Sequence, residues 1–512
     1  MQKDVLKWLD DTAVRYSDKT AVTDENGSIT WGGFRDKSRA IAYEILKIQK
    51  ESGYDCKQPV AVYMEKCKEV LVSFMGIAYC GDFYSPIDVD MPGPRAAKII
   101  ETLKPRIVIT TAALKEQFDS FGYDGNYVIY ETAGDDPDSR SEETRKAIDL
   151  KTYEIIDTDI LYVLFTSGST GTPKGVSITH RGVIDYIDWV TEQFSITSED
   201  SFGNQAPFYF DNSILDIYSC MKMGAELHII PHKLFFQPVR LLEYLQENRI
   251  STIFWVPSAM IVVSKLKALK KVDLSATLKR ILFCGEVMPN KQLNIWRSFL
   301  PDALYANLYG PTEITDACTF YIVDREFSDE EALPIGKPMP NTEILVLDDD
   351  DKLVTGTDRT GELCVRGTGL AKGYYNNPEK TAAAFVQNPL NTAVPDVIYR
   401  TGDVVRYNEY GEIMYLSRKD FQIKHLGHRI ELGEIETAVD SLDGISSCCC
   451  LYDEKMQKIV LFLDVPMELQ DLRDKLAGMI PEYMIPGRVI CTDSLPLNAN
   501  GKIDRVKLKE LL

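Results

Sequence analysis

The chain has 512 residues, 45% hydrophobic and 26% charged, with a net charge of −20. That is more than one hydrophobic core accommodates and predicts on the order of two to four domains or subdomains. So acidic a chain is not expected to grip nucleic acid or an anionic membrane by general attraction.

The start, MQKDVLKWLDDTAVRY, lacks the apolar core and small-residue cleavage site of a signal peptide, and no run approaches a membrane span. Eleven cysteines, with Cys448, Cys449 and Cys450 adjacent, suit no disulfide framework. With no CxxC pair and five histidines, zinc is not expected either. The expectation is a reduced, cytoplasmic protein.

Residues 3 to 17 read as an amphipathic helix with Val5, Leu6, Leu9 and Val14 on one side. A hairpin turn at Asn26-Gly27 follows. Val60 to Met64, Phe83 to Ile87 and Ile107 to Thr111 read as strands, separated by helices at Lys68 to Cys80 and Pro92 to Leu103. That alternation predicts a layered α/β domain. Gly134 to Glu143, GDDPDSRSEE, reads as an exposed polar link. Helices are expected at His180 to Phe194, Ser213 to Met223, Pro238 to Asn248 and Pro289 to Phe299, with strands at Glu226 to Ile230, Thr252 to Val256 and Leu278 to Phe283. From about residue 340 short strands predict a small β-rich subdomain, and residues 421 to 512 have the size of a separate α+β domain.

The stretch that carries chemistry is Leu164 to Gly175, LFTSGSTGTPKG. A buried strand, Ile160 to Phe165, runs into Thr166, Ser167, Gly168, Ser169, Thr170, Gly171 and Thr172, then Pro173 and Lys174. Glycines allow the backbone to wrap a ligand, hydroxyls and N–H groups donate, and Lys174 adds a cation, which together suit phosphate. The spacing is neither that of the P-loop nor that of the dinucleotide fingerprint. Two further motifs stand out, NLYGPTEIT at Asn307 to Thr315 and YRTGD at Tyr399 to Asp403. Taken alone, Tyr309 could equally pack in a core, Asp403 could cap a turn, and Lys502 in NGKIDR would pass for a surface lysine.

TSGSTGTPKG, followed in order by those motifs, resembles the signature set of the adenylate-forming enzymes, in their amino-acid-activating branch. The resemblance runs from near residue 10 to the C-terminus. It implies a large layered α/β N-terminal domain with a small β-rich subdomain over residues 1–417, a hinge at 418–420 that includes Asp420, and a mobile α+β lid over 421–512. It implies ATP and Mg2+. Tyr309, with Gly310, would pack on adenine, and Asn307 would sit near its amine. Thr312 would offer a hydroxyl, Asp403 would hold the ribose, and Arg418 would approach ribose and phosphate. Glu313 would hold the metal. Lys174 and Lys502 would be the catalytic cations, Lys502 reaching both the substrate carboxylate and the α-phosphate. The lid would then turn to bring residues near Lys424 to Gly427 to the site.

The resemblance also implies the substrate pocket. Asp211 in PFYFDNS falls where the branch pairs the α-ammonium; an aspartate buried there without a cation would be costly. Asn212, Leu215, Cys284, Gly285, Leu308 and Asp316 would complete the pocket, with Lys502. Cys284 in LFCGEV is similar to a pocket cysteine of the branch's D-alanine-activating ligases, which supply D-alanine for teichoic acid. The first expectation is therefore D-alanyl transfer to the phosphopantetheine thiol of a separate, small, acidic carrier protein, by a monomeric enzyme. Asp316 and Asn212 are more polar than a D-alanine pocket needs, and leave open another, polar amino acid for a peptide-synthetase-like pathway. A basic run around the hinge, Arg418, Lys419, Lys424, His425, His428 and Arg429, is expected either to receive the acidic carrier or to be a solvated face.

Overall fold

The computed structural model describes residues 2–168, 172–419, 422–445, 447–492, 495–496 and 503–512. Ser169, Thr170, Gly171, the hinge residue Asp420 and Lys502 therefore lie outside the described residues.

Two large sheets dominate. The six-stranded sheet runs in the order Asn126–Ile129, Ile107–Thr110, Pro59–Tyr63, Phe83–Pro86, Ile160–Thr166, Lys174–Thr179. Its members are parallel except the last, which folds back on Ile160–Thr166 as a hairpin. The nine-stranded sheet has a parallel centre: Leu304–Tyr309, Arg280–Phe283, Thr252–Trp255, Ser201–Asn204 and Glu226–Ile229, in that spatial order. Both sheets contribute to one buried cluster with the helices Trp31–Ser52, Lys68–Tyr79, His180–Gln193 and Ser213–Met223. Two further clusters cover the other faces, so the sheets alternate with helical layers, as the βαβ pattern predicts.

Strand order locates the site. From Ser201–Asn204 the chain crosses to Glu226–Ile229 on one side, and then returns to Thr252–Trp255 on the other. The crossovers diverge there, so a crevice opens beyond the carboxyl ends of Ser201–Asn204 and Thr252–Trp255, the place where open α/β sheets bind ligands. Asp211 follows the first of these strands, Cys284 follows Arg280–Phe283, and Asp316 follows Leu304–Tyr309.

The β-rich subdomain is a five-stranded sheet built from Thr342–Leu347, Thr360–Gly367, Phe385–Gln387, Val397–Tyr407 and Ile413–Arg418. The C-terminal part has its own core around Cys448–Asp453, Lys458–Leu463 and the helix Leu432–Asp440. Ahead of it stands a hairpin, Gln422–His425 paired with His428–Glu431. No helix among the described residues is long and apolar enough to cross a membrane.

Two expectations are corrected. Gly134 to Glu143 is not merely a link: it holds a turn of 3-10 helix, Pro137–Arg140, and enters the helix Glu142–Glu154, where Ser141 accepts from Thr144 N at 3.1 Å as the N-cap. In the first helix, Leu6–Arg15, Leu6 and Leu9 are buried but Val14 is 75% exposed, because the apolar stripe ends a turn early.

Candidate active site

The phosphate-type loop lies in the hairpin between Ile160–Thr166 and Lys174–Thr179. Gly168 is held against the far side of its own loop: a Cβ there would lie 2.1 Å from the Thr172 carbonyl oxygen, which only glycine avoids. Thr166 Oγ1 is buried without a hydrogen-bond partner. Lys174 Nζ stands 5.2 Å from the centre of the Tyr374 ring, and burial together with the nearby Arg429 cation lowers its pKa.

Glu313 is fully buried beside it. Its Oε1 accepts from the Tyr374 hydroxyl at 2.7 Å and its Oε2 from Arg429 Nη1 at 2.6 Å. Burial alone would raise this carboxyl; the Arg429 and Lys174 cations override it and hold the group at about 2.

Arg429 belongs to the hairpin of Gln422–His425 and His428–Glu431, and that hairpin lies against Ser167, Lys174 and Glu313. Ser167 Oγ donates to the Arg429 carbonyl at 2.6 Å. Glu431 Oε1 faces Lys174 Nζ at 3.7 Å. Lys424 Nζ sits 5.5 Å from the Tyr309 ring centre. At the hairpin tip, Glu286 accepts from Gly427 N through Oε1 and from Ser258 N through Oε2, both at 2.8 Å. Gly427 has φ +81°, and a Cβ on it would meet Val256 Cγ1 at 3.1 Å.

Asp403 and Arg418 face each other by register, as partners across the strands Val397–Tyr407 and Ile413–Arg418. Arg418 Nη1 donates to Asp403 Oδ1 at 2.8 Å, and the Tyr309 hydroxyl donates to Oδ2. Asp403 is thus a strand residue, not a turn cap. Asn307 Nδ2 donates to the Pro334 carbonyl at 2.8 Å.

The crevice holds the remaining candidates. Burial raises the Asp211 carboxyl, opposed by a hydrogen bond from Thr312 and by the charge of Lys424. Asn212 is the N-cap residue of Ser213–Met223 but makes no side-chain cap bond, and its Nδ2 has no partner. Leu215, Cys284 and Leu308 are buried in one cluster, and an ideal Cβ on Gly285 would lie 3.8 Å from Asn212 Nδ2. Asp316 is 1% exposed and accepts from the Tyr186 hydroxyl at 2.9 Å. The turn that aims it inward is unusual: Thr315 and Asp316 both have positive φ, +62° and +69°. Gly310 makes the turn possible, since a Cβ there would meet Ala317 Cα and the Asp316 carbonyl oxygen at 2.5 Å.

Residues 9–375 match the family described as AMP-binding enzyme, and residues 434–502 its C-terminal domain. The chain belongs to the AMP-binding enzyme family. It is 31% identical to zwittermicin A synthase ZmaJ of Bacillus cereus, over 98% of this chain and 94% of that protein. It is 31% identical to the D-alanine–D-alanyl carrier protein ligase of Bacillus licheniformis, over 96% of each. Tyrocidine synthase 1 of Brevibacillus parabrevis, 30% identical, is longer, and the chain spans 45% of it. Among solved structures, holo-PA1221, a nonribosomal-peptide-synthetase protein containing adenylation and PCP domains, superposes with a TM-score of 0.83 at 23% identity, over 100% of this chain and 84% of that one. At that identity the likeness speaks for the fold. The adenylate-forming resemblance and the layered α/β fold with a smaller C-terminal domain are thereby established.

In this AMP-binding enzyme the structure brings Lys174, Glu313, Tyr309, Thr312, Asp403, Arg418 and Asp211 to one region. It adds Tyr374, Glu431, Glu286, Tyr186 and Tyr162, which no local motif flags. The basic run from Arg418 to Arg429 is not one outward surface. Arg418 and Arg429 turn inward, their side chains 9% and 14% exposed, to Asp403 and Glu313. His428 stacks on Tyr483 with ring centres 3.5 Å apart, and burial pushes it down to about 3, so it stays neutral at pH 7.

Proposed function

We propose that this enzyme activates an amino acid with ATP and passes the aminoacyl group to a phosphopantetheine thiol on a carrier protein. The observation that carries the amino-acid reading is Asp211, a half-buried carboxylate at the switch crevice, raised by desolvation and beside Thr312 and Glu313. A plain carboxylic acid would leave it with only the Lys424 and Arg429 charges of the hairpin; an α-ammonium would pair with it directly. Among the relatives, one is named a D-alanyl carrier protein ligase, which supports the carrier as acceptor.

In the proposed reaction a substrate carboxylate oxygen attacks the α-phosphorus. The new P–O bond replaces the bond to pyrophosphate, giving aminoacyl-AMP. Tyr309, Asp403 and Arg418 would hold the nucleoside, and Lys174 would neutralise the leaving pyrophosphate. Glu313 is a hard oxygen donor fit for the magnesium that accompanies ATP. Lys502 would bridge the two reacting anions. A thiol then displaces AMP from the carbonyl carbon, giving the thioester.

In the pose described here, Arg429 and Glu431 occupy the partners that metal and phosphate would need. The hairpin must leave for adenylation and can return once pyrophosphate is gone, with 418–420 as the proposed hinge. The proposed division is 1–417 and 421–512 on either side.

Two substrates compete. Buried Cys284 and the D-alanyl ligase relative support D-alanine. Buried Asp316, turned toward the same crevice, favours a polar amino acid, and we take the second reading. Amino-acid-dependent exchange of pyrophosphate into ATP, over D- and L-amino acids and glycine, tests the activity. Exchange that no amino acid stimulates would reject it.

A further inference from the structure

The crevice carries more carboxylate than one α-ammonium can use. Asp316 Oδ2 is held by Tyr186, while Oδ1 is buried with no partner. Tyr162 is 0% exposed, and its hydroxyl is likewise unpartnered. The carboxylates of Asp211 and Asp316 both act on that phenol, and both act on the Cys284 thiol, so all four groups share one space. The charges acting on Asp316 are those of Asp211 and Asp216, both negative. Lys66 acts on Asp216. An isolated buried carboxylate of this kind is expensive. It is also placed at a cost, since Thr315 and Asp316 are two consecutive non-glycine residues in left-handed backbone.

We infer that the substrate is a diamino acid: Asp211 pairs with the α-ammonium, and Asp316 Oδ1, with the Tyr162 hydroxyl, receives an ammonium on the side chain. This rests on the reading of Asp211 given above. A hydroxyl could donate to Oδ1 but would bring no positive charge to Asp316, on which the acting charges are negative. A second ammonium neutralises both and supplies donors to both unpartnered oxygens. Asn212 Nδ2, by Gly285, remains as a donor at the rim. The apolar neighbours Leu215, Cys284 and Leu308 fit the methylenes between the two ammonium groups.

The test is pyrophosphate exchange by the full chain with both enantiomers of diaminopropionate, diaminobutyrate, ornithine and lysine. The comparison set is their neutral methyl isosteres, serine, homoserine and D-alanine. One diamino acid should exceed its methyl isostere in kcat/KM by on the order of 10²-fold or more, the discrimination expected when a buried polar group would otherwise stay unpaired. Asp316→Asn should collapse that ratio toward one, with exchange of the neutral isostere rising, whereas Asp211→Asn should depress exchange with every amino acid. A maximum with D-alanine, serine or another monoamino acid overturns the diamino proposal and leaves amino-acid activation standing. Equal losses for both members of a pair in Asp316→Asn, at unchanged Tm, also overturn it, by giving Asp316 to the α-ammonium or to the scaffold. If that variant does not fold, the wild-type series decides alone. Exchange with no amino acid at all overturns the activity itself.

Discussion

Replacing Arg429 with alanine should unseat the lid hairpin. Its Nη1 lies 2.6 Å from Glu313 Oε2, and the carboxyl is fully buried. The neighbouring cations hold that carboxyl at about 2 despite its burial, with Arg429 the largest of the attractive contributions. A buried hydrogen bond between charged groups contributes about 2 kcal/mol. Lost from the docked pose only, that amount shifts the docked-to-undocked ratio about 30-fold. Hydrogen exchange of the amides in Gln422–His425 and His428–Glu431 reads the shift directly, and should accelerate by that factor while the Leu432–Asp440 helix stays protected. On the proposed roles, thioester formation with pantetheine should slow, while pyrophosphate exchange should hold or rise and need less magnesium, because Glu313 no longer has a competing cation. Unchanged hairpin exchange in Arg429→Ala would refute the idea that this ion pair holds the lid. Slower pyrophosphate exchange with normal thioester formation would place Arg429 in the first half-reaction.

Glu286→Ala removes the acceptor for both Gly427 N and Ser258 N. It should free the hairpin tip and cut thioester formation by about 10-fold, with pyrophosphate exchange retained. Gly427→Ala must adopt φ +81° and press on Val256; about 1–2 kcal/mol of strain in the docked pose should give the same split between half-reactions, read by the same two assays. Asp211→Asn should reduce kcat/KM for the amino acid on the order of 10³-fold, while Kd for ATP, measured by calorimetry, stays within a few-fold. Acid should also undock the lid. Because the Glu313 carboxyl is depressed in the docked pose, its contribution is complete above pH 4.5 and is lost as pH falls from there toward 2. Pepsin cleavage at the hairpin should rise across that window in the wild type, and Glu313→Gln should flatten the rise.

How much of this was readable from the chain depends on the distance over which each feature is written. The strand–loop–strand of Leu164 to Gly175, the Gly310-Pro311 turn and the Asn26-Gly27 hairpin are local patterns. They appear because turn residues and alternating strands fix them within a few positions. The helix Glu142–Glu154 escaped because it is polar almost all round and leaves Leu150 and Tyr153 exposed, so it lacks an apolar stripe; the Ser141 cap was its one signal. Asp403 looked like a turn because Gly402 takes φ +73° within a strand. Thr315 and Asp316 are left-handed without being glycine, which no sequence pattern announces. The contacts that define the site are longer still: Tyr186 reaches Asp316 across 130 residues, and Arg429 reaches Glu313 across 116. Only the folded chain shows that the hinge basic run is split, with its arginines spent on buried acids.

Those long-range pairs bear on the order of events. On the proposed roles, each hairpin contact satisfies a group that Mg·ATP would engage: Arg429 takes Glu313, Glu431 faces Lys174, and the Arg429 carbonyl takes Ser167. A guanidinium at 2.6 Å would compete with a divalent cation for that buried carboxylate oxygen. On the proposed roles, the docked hairpin and Mg·ATP therefore compete for the same groups, and each shifts the balance against the other. Asp316 is held instead by Tyr186, with its Oδ1 buried and unpartnered, and Asp211 accepts from Asn212 N at 3.1 Å and from Thr312, all outside the hairpin. On the proposed substrate reading, the aminoacyl group would stay on Asp211 and Asp316 while the hairpin comes and goes. On the proposed roles, the pairing that selects the amino acid and the pairing that moves the lid would be made by separate acids, Asp211 and Asp316 for the first and Glu313 for the second.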